Sequence, residues 1–183
     1  MVLHFESVHT FDHDFATATT AYYNRYPNPY TNNVQCMDML DCHVDSDGCL
    51  WTTRMMKKTG RLPKFIKPIL GNSLSSWVIE KSVINPETQT MWSYTANMDH
   101  RKFIKVEEYV KYRVVDGNSG QTTVNSKVIF LSNLIGLKQK VEQWSHNKFT
   151  QNIKNSREGM MYVMNSFKEK RELWMKNNQS LIT

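Results

Sequence analysis

The chain has 183 residues, 40% of them hydrophobic and 22% charged, and its 23 Lys and Arg outnumber its 17 Asp and Glu for a formal net charge of +6. That length suits one domain with a substantial core. No apolar run approaches the ~20 residues of a membrane span, so any membrane contact is peripheral, and the positive charge favours an anionic partner: nucleic acid, acidic lipid or acidic protein. Cys36, Cys42 and Cys49 are an odd set without zinc-like spacing and read as ordinary thiols. The sequence has no internal repeat, low-complexity tract or linker.

Met1 to Phe11 reads as a first strand, with Leu3, Phe5 and Phe11 on one parity, rather than as a signal or Arg-rich transit peptide. Asp12 offers an N-cap, and Phe15, Ala18 and Tyr22 follow at helical spacing, which predicts a short helix over roughly 13–24. Arg25-Tyr26-Pro27-Asn28-Pro29-Tyr30 stops it, because two prolines cannot continue a helix. Arg25 either satisfies the helix's last carbonyls or points inward as a lone cation. Strands over 34–42 and 50–56 flank the turn Asp45-Ser46-Asp47-Gly48. Too few carboxylates follow that turn for a calcium loop.

The stretch from Arg54 to Gly71 begins as a strand end and becomes an irregular loop, bracketed by Gly60 and Gly71 and broken by Pro63 and Pro68. It mixes Leu62, Phe65, Ile66, Ile69 and Leu70 with Lys57, Lys58, Arg61, Lys64 and Lys67. Apolar groups interleaved with cations suit the headgroup boundary of a bilayer; a long hairpin loop packed on its own domain is the other reading. Strands follow over 77–84, 90–97, 103–115 and 122–131, separated by turns at Asn85-Pro86-Glu87 and Asp116 to Gly120. Within 103–115 the alternation is clean except for Glu108, which falls on the apolar parity. Seven short strands joined mainly by tight turns predict one antiparallel sheet.

From about Leu137 to Trp174 there is no proline and one glycine, Gly159, which predicts a single helix ~50 Å long. Its inner stripe runs Leu134, Leu137, Val141, Trp144, then Lys148, Asn152 and Asn155, then Gly159 and Val163, so polar groups interrupt it in the middle. A buried, unpaired lysine is costly. Lys148 therefore either reaches solvent at the stripe's edge or faces a cavity holding an anion.

No phosphate loop, nucleophile elbow or HExxH helix is present, and His100 beside Asp99 has no nucleophile near it in sequence. The aromatics are spread over strands and helix instead of clustering as stacking platforms, which argues against nucleic acid. A curved sheet closed by a long helix makes a cup. Such a cup suits lipid movement: two acyl chains hold roughly 30 methylenes, whose exposure to water would cost on the order of 25 kcal/mol. A carrier must supply its own apolar cavity and a gate, and the loop at 60–71 is placed to be that gate.

Asn24 to Tyr30, Lys57-Lys58 followed by Gly60-Arg61-Leu62-Pro63, Asn97-Met98-Asp99-His100, Val106-Glu107-Glu108 and the Lys148…Asn152 helix resemble the PRELI family (PRELI/MSF domain) in order and spacing, over roughly residues 1–170. The resemblance implies an α+β fold: a seven-stranded curved antiparallel sheet closed by a long C-terminal helix, with an omega loop as lid. It implies a single lipid-transfer domain over 1–175 with a polar tail at 176–183. It further implies a non-enzymatic carrier of phosphatidic acid between the outer and inner mitochondrial membranes, feeding cardiolipin synthesis. That carrier would act in the intermembrane space, peripherally on the anionic, cardiolipin-containing inner membrane. Its partner would be a small helical protein with twin cysteine-x9-cysteine motifs; no cofactor, metal, catalytic residue or nucleic acid is implied. Carried over by position, Arg25 would bind the phosphate deep in the pocket, Lys58 and Arg61 would line the entrance, and Lys148 and Asn152 would line the pocket from the helix. The lid would be Leu62, Pro63, Lys64, Phe65, Ile66, Lys67, Pro68, Ile69, Leu70 and Gly71. Asn155 also belongs to the headgroup set, but close relatives carry lysine there, a departure that bears on lipid preference or membrane affinity. Phosphatidylserine transfer by the same fold, a lipid-modifying enzyme and a scaffold that only binds its partner are the alternatives.

Overall fold

In the computed structural model of this chain, residues 1–60, 63–70, 74–134 and 136–178 are described. The strands are β1 (Val2–Phe11), β2 (Val34–Val44), β3 (Leu50–Gly60), β4 (Leu74–Asn85), β5 (Thr90–Asn97), β6 (Ile104–Val115) and β7 (Asn118–Ser132). They form one seven-stranded curved antiparallel sheet in the order β1-β7-β6-β5-β4-β3-β2. Strands adjacent in sequence pair from β2 to β7, and β1 closes the order against β7, with Val2 opposite Leu131 and Phe11 opposite Thr122. The helices among the described residues are α1 (Phe15–Tyr23), α2 (Lys67–Leu70) and α3 (Lys138–Asn178). This is the α+β architecture expected from the sequence.

Side chains alternate across the sheet. The inner face, under the helices, carries two polar rows in register. One runs Arg54, Glu80, Thr95, Glu108, Val128; the other runs Thr52, Ser82, Ser93, Val110, Ser126. Apolar clusters flank these rows. At one end Phe11, Phe15, Ala18, Tyr22, Met91 and Tyr112 pack with Met160, Val163 and Met164 of α3. At the other, Ile66, Ile104, Phe130 and Leu134 pack with Val141. The 41-residue α3 is thus seated at both ends. Between them, from 146 to 158, none of its residues is buried. Over this stretch the helix touches the sheet at β1, where Phe149 stacks on Phe5 with ring centroids 4.5 Å apart and Arg157 Nη2 donates to Val8 O. The outer face leaves Trp51, Trp77, Trp92 and Tyr109 exposed.

Several expectations need correction. The cap of α1 is Asp14, not Asp12: Asp14 Oδ1 accepts from the Thr17 N–H at 2.8 Å and Oδ2 from the Thr17 hydroxyl at 2.9 Å. Asp12 instead accepts from Gln121 Nε2 at 2.6 Å, because the chain needs two residues beyond β1 to cross onto the sheet before the helix can start. Strand β3 continues through Lys57 and Lys58 to Gly60, paired with β4 throughout, so the basic pair lies on a strand and not in the loop. The loop is not wholly irregular either. Pro68 sits in the first turn of α2, where its missing N–H would have no helical partner anyway. Helix α3 runs to Asn178, four residues past the expected helix end at Trp174.

Candidate functional site: a buried charge cluster on the inner face

Helix α1 stops at Asn24, whose side-chain amide and backbone N–H both donate to Thr20 O. The next residue, Arg25, turns under the helix, and a cis Tyr26–Pro27 peptide follows. Asn28 holds this loop: its Nδ2 donates to Arg25 O, and its Oδ1 accepts from the Tyr30 N–H at 2.9 Å. The loop lies against Gly159 of α3, where an added Cβ would come within 2.9 Å of the Asn28 amide. The lone glycine of the long helix therefore lets α3 close over the loop that carries Arg25.

Arg25 satisfies a carbonyl of its helix and also points inward, but it is paired there and is not a lone cation. Its Nη1 donates to Tyr22 O at 2.6 Å, and its Nη2 pairs with Glu80 Oε2. Its guanidinium lies 4.0 Å from the Tyr22 ring centroid and 4.7 Å from that of Tyr26. Glu80, only 1% exposed, is held on its other oxygen by Arg54, whose Nε donates to Oε1 at 2.8 Å and whose Nη2 bonds the same atom. Arg54 Nη1 also donates to Tyr23 O at 3.2 Å. One carboxylate thus bridges two guanidiniums within a cage of tyrosines. A polar chain continues from it, with the Tyr23 hydroxyl 2.8 Å from Ser82 Oγ and Thr52 Oγ1 2.7 Å from the same atom. The Tyr22 hydroxyl is buried next to Glu80 and Ser93.

Electrostatics follow from this packing. Burial alone would raise the Glu80 carboxyl, but Arg25 and Arg54 outweigh it and hold the group down to about 2. Burial pushes the Tyr26 phenol up, yet Lys58 and Arg25 pull it below its ordinary value. Tyr22 is pushed well up by burial and then by Glu80, and Tyr112 is also raised, chiefly by burial. The mouth of the cluster, at Tyr26, is therefore electropositive, and its interior is balanced by Glu80.

The structure brings only part of the sequence-predicted set together. Arg25 and Lys58 meet across Tyr26, Lys58 Nζ being 5.8 Å from the ring centroid. Lys148 and Asn152 are exposed and Asn155 is half-buried on the middle of α3, where Asn155 Oδ1 accepts from Gln151 Nε2 at 2.7 Å. Arg61, Leu62 and Gly71 lie outside the described residues. Within the loop expected to be the lid, Ile66 is fully buried in the cluster at the N-terminal end of α3, and Phe65 packs on the same cluster. The loop is thus anchored through its middle. Pro63 and Lys67 are half-buried and Lys64 and Pro68 exposed.

Arg54 and Glu80 are the residues that the sequence reading missed. The signal was available: each is a charged residue on the inward parity of its strand, as Glu108 is. Glu108 does face inward and accepts from Ser126 Oγ at 3.0 Å. The Asn97 to His100 motif is a structural knot. Asn97 Nδ2 donates to Asp99 O and Ile104 O, Asn97 Oδ1 accepts from the Val106 N–H, and Asp99 Oδ2 accepts from the Trp77 N–H, joining β4, β5 and β6. Asp45 is likewise occupied within its own turn, accepting from the Asp47 and Cys49 amides and Trp51 Nε1.

A long helix closing a curved antiparallel sheet is an architecture shared with solved structures. A START superfamily protein from Mycobacterium smegmatis matches with a TM-score of 0.52 at 14% identity, over 90% of this chain and 98% of that one. TTHA0849 from Thermus thermophilus matches at 0.59 and 6% identity, over 90% and 98%. These likenesses establish the fold. The model of the PRELI-like family matches residues 16–170, and the chain belongs to that family. It is 45% identical over 172 residues to "Protein UPS1, mitochondrial" of Saccharomyces cerevisiae, covering 93% of this chain and 98% of the relative. It is 38% identical to "Protein ups1 homolog" of Schizosaccharomyces pombe, over 81% and 86%. With human "PRELI domain-containing protein 1, mitochondrial" the identity is 31%, over 79% and 67%.

Proposed function

We propose that this protein carries phosphatidic acid between membranes, binding the phosphate beside Arg25 and the acyl chains beneath the middle of α3. The observation that carries this reading is the charge count at Arg25. At the Arg25 end of the inner row, Arg25, Arg54 and Lys58 against Glu80 leave two positive charges; Glu108 lies two strands further along the same row. A phosphate monoester carries about −1.5 to −2 near neutral pH and so matches that count. A phosphodiester headgroup carries a single phosphate charge and matches it less well, which places phosphatidylserine second. The span of α3 between two apolar clusters, in which no residue is buried, supports a site for chains, and Ile66, seated in one of those clusters, supports the loop as lid. Lys148, Asn152 and Asn155 on that span are the helix's contribution. Arg61 belongs with Lys58 at the entrance.

The protein performs no chemistry on the lipid in this account. Acyl chains pass from one apolar medium to another, so extraction approaches thermal neutrality, and the net positive charge favours docking on an anionic membrane. The relatives named as mitochondrial support the intermembrane space, with transfer from the outer to the inner membrane, as the setting. The family likeness supports a small helical twin cysteine-x9-cysteine protein as heterodimer partner. The test is transfer of fluorescent phosphatidic acid and phosphatidylserine between separate vesicles, with the lipid's mass checked afterwards. Selective transfer of phosphatidic acid, unchanged in mass, is expected. A changed mass would point to an enzyme, and no transfer of either lipid by folded protein would point to a scaffold.

A further inference from the structure

We propose that Glu80 is an internal stand-in for the lipid phosphate: its carboxylate holds Arg25 while the site is empty, and an arriving phosphate monoester displaces it from Arg25 onto Arg54. The proposal rests on the carrier reading above and adds to it a residue that sets how tightly the headgroup is kept.

The geometry is asymmetric in the required way. Glu80 gives one oxygen, Oε1, to two donors of Arg54, and the other, Oε2, to a single donor of Arg25. Letting go of Arg25 breaks one contact and leaves Glu80 with its two from Arg54. The two arginines differ in access as well: the Arg25 side chain is 12% exposed and that of Arg54 only 2%. Arg54 is further fixed by Tyr23 O and by the rings of Tyr22 and Tyr23, at 5.1 and 4.9 Å. Arg25 sits beside Tyr26 and Lys58, at the electropositive mouth. The Tyr22 hydroxyl is buried in the same nest, beside Glu80.

The charges support the exchange. A buried guanidinium without a counter-ion is strongly unfavourable, so an empty site needs an anion at Arg25, and Glu80 supplies it. After exchange, Arg54 and Glu80 form a neutral pair, while Arg25 and Lys58 face the phosphate. Net headgroup affinity is then the difference between two anions at Arg25 instead of the full strength of one. A shuttle needs this, because it must release its cargo as readily as it takes it.

The discriminating variant is Arg54→Gln/Glu80→Gln, which removes one charge of each sign and leaves Arg25 without its resident carboxylate. Binding of short-chain phosphatidic acid and its release to acceptor vesicles are measured, with folding checked by circular dichroism. The proposal predicts retention at least ~10-fold tighter than wild type, through slower release. A second variant, Glu80→Asp, keeps the charge but draws the carboxylate back by one methylene; a smaller change of the same sign is expected, and it decides the matter if the double variant does not fold. Inorganic phosphate at millimolar concentration is expected to compete with the headgroup in both variants more than in wild type. Weaker or unchanged retention in folded variants would overturn the proposal while leaving the carrier reading intact, since a merely structural role for Glu80 gives that result. Failure of the wild-type protein to bind phosphatidic acid at all would overturn both.

Discussion

Acid should remove a defined part of this protein's stability through Glu80. The carboxyl is held at about 2 in the folded protein against an ordinary value of 4.5, by Arg25 and Arg54 acting against burial. A folded-state value below the unfolded one contributes stability that is fully present above the unfolded value and is lost as pH falls towards the folded one. Here the window lies between 4.5 and about 2. A displacement of that size is worth roughly 3 kcal/mol at neutral pH, of which roughly 2 kcal/mol is gone by about pH 3. Other carboxylates titrate in the same range, so the measurement is a difference. Urea unfolding of wild type and of Arg54→Gln/Glu80→Gln, followed by tryptophan fluorescence from pH 7 to 2.5, isolates the Glu80 contribution. The stability gap between the two proteins should shift against wild type by roughly 2 kcal/mol between pH 7 and 3. Parallel curves over that range would refute the coupling of Glu80 to the two arginines.

Other consequences are more local. Gly159→Ala gains helix propensity of about 1 kcal/mol, but its Cβ meets Asn28 at 2.9 Å. Crowding of roughly 1–3 kcal/mol should win and lower the melting temperature, and the sign should reverse in an Asn28→Ala background. Ile66→Ala empties a fully buried seat under the lid. Loss of roughly 2–5 kcal/mol of local packing should appear as faster hydrogen exchange and proteolysis at 63–70, well beyond any change in the sheet. Asn155→Lys adds a cation to the open span of α3; affinity for anionic vesicles should rise several-fold at low salt, about 1 kcal/mol, and the gain should vanish at high salt. Equal gains at both ionic strengths would rule out an electrostatic origin.

Period-two and helical patterns made the seven strands, their antiparallel pairing and the long helix legible, because one face of each element is buried against the other. The polar interruption at Lys148, Asn152 and Asn155 was legible for the same reason, and it coincides with the stretch of α3 in which no residue is buried. What could not be read was which cation would be paired. Arg54 and Glu80 lie 26 residues apart in sequence and Arg25 and Glu80 lie 55 apart. Only the β3–β4 register and the turn after α1 bring the three together. An inward-parity charge announces that a partner exists but not where it comes from. Helix boundaries failed on local chemistry: Asp12 and Asp14 are equivalent caps in sequence, and the crossing from β1 chooses between them. The loop's prolines were over-read, since a proline in a first helical turn is tolerated.

The central claim is that Arg25 holds the phosphate of a transferred lipid. Its most direct test is transfer of phosphatidic acid from donor to acceptor vesicles by wild type and by Arg25→Gln, each purified with the proposed helical partner and confirmed as folded. Glutamine is preferred to glutamate because a second carboxylate beside Glu80 would disturb the cluster by itself. The account predicts loss of at least nine-tenths of the transfer rate in the variant. Undiminished transfer by folded Arg25→Gln would contradict it.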